Sequence, residues 1–497
     1  MNDFTQKIEN LVRKSDYRLW LLLTVTIGCL LYLTFSKQVI GLGFPLDDAW
    51  IHQTYARNLY QTGKWIYSSQ LVSGGSTSPL WSILLVVGHI IKTPILWSYV
   101  LGLICLVCIA SISEIIFQNV TNREEHSFPF FGLFVATEWH FLWASLSGME
   151  TLLFTLGIVL IFYLLLFHPQ KPFWVGVVCG ISIWVRPEAL TFLGPSIFVL
   201  FFIYFRSMPK FGSKLVGLLS GFVLTFIPYL IFNYILAGSI FPNTFNAKRA
   251  EYLILLDMPL YSRVLELIKL PLIGSGVLLL PGFLYQFWKS IHDKNWYILS
   301  AYIWWGGIVL IYALNLPVVY QHGRYLIPSM VIFYLTSLIG VDSLVIKLKK
   351  NSGIMKRIST VWLLCIVGVQ LSFLALGAKT YANDVTIIET EMVASASWIA
   401  ENTENDALIA AHDIGALGYY GDRRIVDLAG LIDPEVIPII RDEQSLSEFM
   451  DDRGVDYLMT FPSWYPKLIQ NKQIVFQTNA VYAPEAGREN MSVYIWK

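Results

Sequence analysis

Charge is what this chain has least of. Asp, Glu, Lys and Arg make up only 14% of its 497 residues, 35 of each sign, against 55% hydrophobic and 15% aromatic residues. Ordinary soluble domains carry about 25% charged residues. With a mean hydropathy of +0.56 and many long apolar runs, the chain is therefore read as a polytopic membrane protein. A net charge of zero and a pI near 7.1 leave no basic surface for nucleic acid, so no nucleic-acid partner is expected. Cysteine is sparse too: Cys29, Cys105, Cys108, Cys179 and Cys365 all sit inside apolar stretches, where a thiol behaves as a small hydrophobe. No disulfide framework follows, and the Cys105/Cys108 spacing has no nearby His or second pair to make it a metal site. Tandem repeats and low-complexity linkers are missing. A small-residue cleavage site is missing as well after the N-terminal Lys7, Arg13, Lys14 and Arg18, so the run ending near Phe35 reads as an uncleaved anchor helix.

What is there is a series of apolar segments, near 19–37, 95–117, 128–145, 151–167, 188–206, 215–236, 270–288, 297–314, 325–347 and 358–379, with shorter runs at 79–91 and 173–185. Lys347, Lys349, Lys350, Lys356 and Arg357 crowd one loop, and Arg206, Lys210 and Lys214 another. Both should be cytoplasmic, as should the basic N-terminus. The counts agree if one short run is not a full crossing. The run at 79–91 is well below the roughly 20 residues needed, which predicts a re-entrant or interfacial helix there and about 11 transmembrane helices. Demoting 173–185 instead would move the SGMET loop to the cytoplasm.

On the first count, every polar residue that interrupts the apolar pattern falls at the extracytoplasmic boundary: Asp47, Asp48, His52, Glu150, Arg186, Glu188, Asn243, Lys248, His322 and Arg324. Singly, each is as well read as a helix cap or a side chain reaching the headgroups. Together, they suggest one cavity, because ionisable groups near a bilayer usually face a bundle interior or a water path. The adjacent Asp47 and Asp48 repel each other, and neither is needed to end a helix.

Such a set suits a sugar carried on a lipid phosphate. The leaving phosphate is a stable anion that needs a cation rather than a proton donor, and Arg or Lys supplies it. One carboxylate then suffices to take the proton of the attacking hydroxyl, while its neighbour orients it, binds a sugar hydroxyl or holds Mg²⁺ or Ca²⁺. Attack opposite the phosphate inverts the anomeric centre. Following the pair, Trp50, Tyr55 and Leu59 alternate with His52, Gln53, Arg57 and Asn58, an amphipathic helix suited to the interface.

PLDDAWIHQTYARNL followed by GGSTSPLW, then SGMET, WVRPEA, FPNTFNAK, GRYLIP and HDIGALGYYGDRRIVDLAGLIDPE, resembles in motif and order the GT-C class glycosyltransferases, in the branch of the mycobacterial terminal arabinofuranosyltransferases and their bacterial relatives. The resemblance implies a bacterial cytoplasmic-membrane enzyme that takes a sugar from a polyprenyl-phosphate donor to an extracytoplasmic glycan, lipid or protein acceptor. It implies Asp47 as general base, with Asp48 the neighbouring candidate. Less directly, it implies substrate-binding roles for Glu150, Arg186, Glu188, Asn243, Lys248 and Arg324, with Lys248, Arg186 or Arg324 on the phosphate; His52, Arg57, His322 and Tyr325 are further substrate-binding candidates, and His52 departs from the usual pattern of that branch. A transporter or flippase of lipid-linked sugars is the alternative; it would more often show inverted repeats and ionisable groups at mid-membrane.

The fold expected is thus a GT-C-like α-helical membrane domain over 1–382, with a catalytic first external loop at 38–78, and a small extracytoplasmic α/β domain over 383–497. In the latter, β-like runs at 407–412, 424–428, 455–461, 472–478 and 491–496 alternate with helical stretches near 385–402 and 445–453. His412, Asp413, Asp427 and Asp433 invite a metal reading, but nothing in their spacing fixes one. Acceptor binding or a lid is the expected role of this domain.

Overall fold

The computed structural model describes residues 16–68, 74–123, 128–238, 240, 244–350 and 353–497. Its first long helix, α1 (Tyr17–Val39), starts where the Asp16 carboxylate accepts the Arg18 N–H at 3.1 Å, an N-cap that satisfies one of the free first-turn donors. Leu21, Val25, Cys29 and Tyr32 face inward while Leu19, Leu23, Ile27 and Leu30 are exposed. This is the arrangement of a helix with protein on one side and lipid on the other.

The chain continues through α2 (Asp48–Thr62), α3 (Pro79–Ile90), α4 (Pro94–Val120), α5 (Phe130–Thr137), α6 (Trp139–Ser145), α7 (Thr151–Phe167) and α8 (Pro172–Ile183). A 3₁₀ turn at Pro187–Phe192 leads to α9 (Leu193–Tyr204), α10 (Met208–Ala237), α11 (Thr244–Glu251), α12 (Leu260–Lys269), α13 (Gly276–His292), α14 (Trp296–Asn315), α15 (Ile327–Lys349) and α16 (Gly353–Ile387). Close helix approach uses small residues. A Cβ on Gly176 would lie 2.0 Å from the Leu218 carbonyl oxygen, and one on Gly221 would lie 2.0 Å from that of Phe173, so α8 and α10 touch backbone to backbone.

Among the described residues seven helices are long and apolar enough to cross a membrane, and an eighth if the bent pair α12/α13 is one span. This is a multi-pass membrane protein. Several of the apolar runs read from sequence are short or broken. The segment 128–145 is split at Glu138, whose backbone is extended (φ −70°, ψ 125°) and whose carboxylate caps α6 through the Phe141 N–H at 3.1 Å. The 270–288 segment is bent by 110° between α12 and α13. Helices α3 and α8 have 12 residues each, about 18 Å at 1.5 Å per residue, both short of the roughly 30 Å hydrocarbon core. Length alone therefore does not choose between them as the partial crossing.

Helix α16 runs on through a π-helical turn (Ile388–Val393) into α17 (Ala394–Asn402), so the boundary expected at 382/383 lies within a continuous helix. Beyond it, β1 (Leu408–Ala411), β2 (Arg424–Asp427), α18 (Glu443–Arg453), β3 (Tyr457–Thr460), β4 (Ile474–Gln477) and β5 (Ser492–Ile495) follow the sequence pattern closely. They make one five-stranded sheet, ordered β2-β1-β3-β5-β4. β1 is parallel to both neighbours, with Leu408 opposite Arg424 and Ile409 opposite Tyr457, while β5 is antiparallel to β3 and β4. The carboxyl ends of β1, β2 and β3 thus share one edge, the edge where open α/β sheets generally bind ligands.

Candidate active site

A cavity of about 1000 Å³ lies where that edge meets the membrane domain. Asp47, Asp48, Lys248, Glu251, His322, Arg324 and Asp384 line it from one side, and His412, Asp413, Arg441, Trp464 and Tyr465 from the other. The carboxylate of Asp47 is buried, and its two oxygens accept the N–H groups of Gly415 at 2.7 Å and Ala416 at 2.8 Å. Asp48, the first residue of α2, is ion-paired with Arg324 at 2.5 Å. Burial opposes its ionisation, yet Arg324 and Lys248 outweigh that and hold its carboxyl below the usual carboxylate range. Burial also pushes Asp47 up, reinforced by the charge of Asp413 and opposed by the two amides.

On α11, Lys248 pairs with Glu251 at 3.2 Å, and the other Glu251 oxygen stands 3.4 Å from His412 Nε2. Burial works against Glu251 as an anion, but Lys248 and His412 bring its carboxyl down to about 2. His412 Nδ1 meets the Tyr465 hydroxyl at 2.7 Å. His322 enters from a strained turn in which Gln321, His322 and Gly323 have φ of 53°, 58° and 66°, a left-handed run that non-glycine residues rarely adopt. Its Nε2 lies 2.7 Å from Asp384, which also accepts the Trp143 indole N–H at 3.0 Å.

The other residues singled out from sequence take different places. His52, Glu150 and Arg186, all buried, form a chain with the half-buried Glu188 and do not line the cavity. His52 Nε2 is 3.4 Å from Glu150, and Arg186 Nε is 3.9 Å from the other Glu150 oxygen. Arg186 also reaches Glu188 at 3.1 Å and the Tyr312 hydroxyl at 3.2 Å. It stacks over the ring of Tyr325, which in turn touches Arg324 at 3.0 Å. This network joins the loops at 147–151, 184–192 and 320–325 to the first loop, so all four stand at one end of the molecule. Arg57 points to the C-terminal domain instead, donating to the carbonyls of Tyr419 at 2.5 Å and Gly418 at 3.0 Å. Asn243 lies outside the described residues.

Sequence reasoning missed Glu251, Asp384, Trp143, Trp464 and Tyr465 as cavity residues. Glu251, three residues after Lys248, was the one with a local signal, an ion pair at helical spacing. For a divalent ion the fit is poor: both Asp47 oxygens are taken by amides and Asp48 by Arg324, and among the described residues no three His, Cys, Asp or Glu side chains converge on one point.

With this geometry in hand, two solved structures are similar over nearly the whole chain. One is ArnT from Cupriavidus metallidurans bound to undecaprenyl phosphate, with a TM-score of 0.58 and 11% identity, covering 97% of this chain and 99% of that one. The other is the Archaeoglobus fulgidus oligosaccharyltransferase in its apo form, with a TM-score of 0.60 and 12% identity, covering 90% of this chain and 70% of that one. The chain has the GT-C fold. At these identities the likeness speaks for the architecture. A family model described as a domain of unknown function (DUF8728) matches residues 380–494, and no curated protein matches in sequence.

Proposed function

We propose that this GT-C protein is an inverting membrane glycosyltransferase that moves a sugar, hexose or pentose, from a polyprenyl-phosphate donor to an extracytoplasmic glycan, lipid or protein acceptor. The observation that carries this reading is a cavity in which two cations, the buried Arg324 and the half-buried Lys248, share a wall with a group of carboxylates. A phosphate arriving there exchanges the Asp48 and Glu251 partners of these cations for its own oxygens, and Arg324 offers it a planar, two-pronged grip. That one similar structure is described as bound to undecaprenyl phosphate supports the lipid class of the donor. The motif order supports the branch of the terminal arabinofuranosyltransferases and their relatives.

The chemistry follows from the leaving group. A lipid phosphate departs as a stable anion, so cations suffice on that side and no second acid is required, unlike glycoside hydrolysis. A carboxylate at the head of the cavity takes the acceptor proton, the hydroxyl oxygen attacks C1 from the opposite face, and the configuration inverts. The positive-inside rule favours a cytoplasmic side for the basic loops at 206–214 and 347–357, which supports a cavity on the outer face of a bacterial plasma membrane.

The test is turnover by purified full-length protein in nanodiscs, given C55 polyprenyl phosphate carrying in turn a hexose, an N-acetylhexosamine and a pentose. Acceptor-dependent release of polyprenyl phosphate is expected. Arg324→Gln should weaken polyprenyl-phosphate binding at least tenfold, since a charge-assisted pair contributes about 1.5–3 kcal/mol. Consumption of no donor, together with passage of labelled lipid across the bilayer, would establish the transporter instead.

A further inference from the structure

Asp47, Asp48 and Asp413 all line the cavity, and they are not equivalent. Asp47 spends both oxygens on the amides of Gly415 and Ala416. Asp48 is held by Arg324. Asp413 lines the same cavity, yet among the described residues its carboxylate makes no hydrogen bond and no ion pair. From this contrast we infer that Asp413, delivered by the C-terminal domain, is the group that deprotonates the acceptor hydroxyl, and that Asp47 positions it. The inference rests on the glycosyltransferase reading above and reassigns the base within it.

Placement supports this. Asp413 follows β1 at the carboxyl edge of the parallel strands. The residues on either side are fixed from two directions. His412 is tied to Glu251 and Tyr465, and Gly415 lies so close to the first loop that a Cβ there would stand 2.0 Å from the Asp47 carbonyl oxygen. The turn carrying Asp413 is therefore clamped between α11 and the Asp47 loop, with its carboxylate the one left to face the cavity. Trp464 and Tyr465 follow β3 on the same edge and line the same wall, where Trp464 exposes an aromatic ring of the kind on which sugars stack. The acceptor thus enters between the two domains, and the donor phosphate lies by Arg324 and Lys248.

Electrostatics permit this, although burial raises the Asp47 carboxyl as well, so the choice rests on the geometry. Burial pushes the Asp413 carboxyl up; His412 and Lys248 oppose this, and Asp48 and Glu251 reinforce it. The result is a carboxylate more basic than a free aspartate, which favours proton abstraction near neutral pH. In the step itself the acceptor O–H proton passes to Asp413 as the oxygen forms its bond to C1. The C1–O bond to phosphate breaks with its electron pair going to the phosphate, and the products are the inverted glycoside, the polyprenyl phosphate anion and protonated Asp413, which returns its proton to water.

The test compares two nucleophiles with the full-length protein in nanodiscs and the C55 polyprenyl-phosphate sugars named above. A panel of alcohols (glycerol, methyl glycosides and a membrane glycolipid extract) needs a base; azide, already an anion, needs none. Asp413→Asn should lower transfer to the alcohols at least 100-fold while azide-dependent release of polyprenyl phosphate stays within threefold of wild type. Asp413→Glu should recover part of the alcohol reaction, and binding of undecaprenyl phosphate to Asp413→Asn should match wild type. Loss of both reactions in Asp413→Asn, or alcohol transfer at wild-type rate, overturns the assignment. If wild type consumes donor with neither nucleophile, the glycosyltransferase function itself falls, and this inference with it.

Discussion

The contact between Asp47 and the Gly415–Ala416 turn ties residues more than 360 positions apart and is the most informative one to break. In Asp47→Ala the two amide donors, at 2.7 and 2.8 Å, lose their acceptors inside a buried junction. Each bond lies between the values for neutral and charged acceptors, about 1.5 kcal/mol. The pair thus contributes about 3 kcal/mol to holding the turn, or about a 100-fold change in its opening equilibrium. Amide hydrogen exchange followed by mass spectrometry reads this directly, because exchange rates of protected amides report local opening. The 412–418 peptides should exchange about 100-fold faster in Asp47→Ala, with the α14 and α15 peptides unchanged. Asp47→Asn keeps one acceptor oxygen and should fall about midway on the logarithmic scale. Exchange in the 412–418 peptides that matches wild type would refute the view of Asp47 as the clamp and return it to the role of free base.

Other consequences concern how the domain sits on the membrane helices. Burial disfavours charged His412, but Glu251 outweighs it and raises the imidazole above its usual value of about 6.5. Its contribution to stability is therefore complete below about pH 6.5 and lost as pH rises through the raised value. Thermal unfolding of wild type should show a downward slope there that His412→Gln flattens; identical slopes in the two proteins would rule this out. Glu391, buried in the π-helical turn, accepts the Met491 N–H at 2.8 Å and the Asn490 amide at 3.1 Å and also bonds the Thr478 hydroxyl. Glu391→Gln turns an NH₂ toward those donors and should destabilise the C-terminal domain by about 2–4 kcal/mol. Faster proteolysis within 474–497 would show this, and an unaltered digestion pattern would contradict it.

The chain by itself determined the membrane class, most helix positions, the five strands and the polar residues worth watching. Each is a local property: runs of apolar residues long enough for a bilayer, alternation of period two, and charges too costly to place in lipid without a reason. It did not determine which of those residues work together. Asp47, Lys248, Arg324 and Asp413 come from four separated stretches, and local pattern carries no information about convergence over hundreds of residues. Tertiary structure moved His52, Glu150, Arg186 and Glu188 into a supporting chain, turned Arg57 toward the C-terminal domain and gave the Asp47 oxygens to backbone amides. It also brought Asp413 into the cavity, since only packing decides which carboxylate is left without a partner.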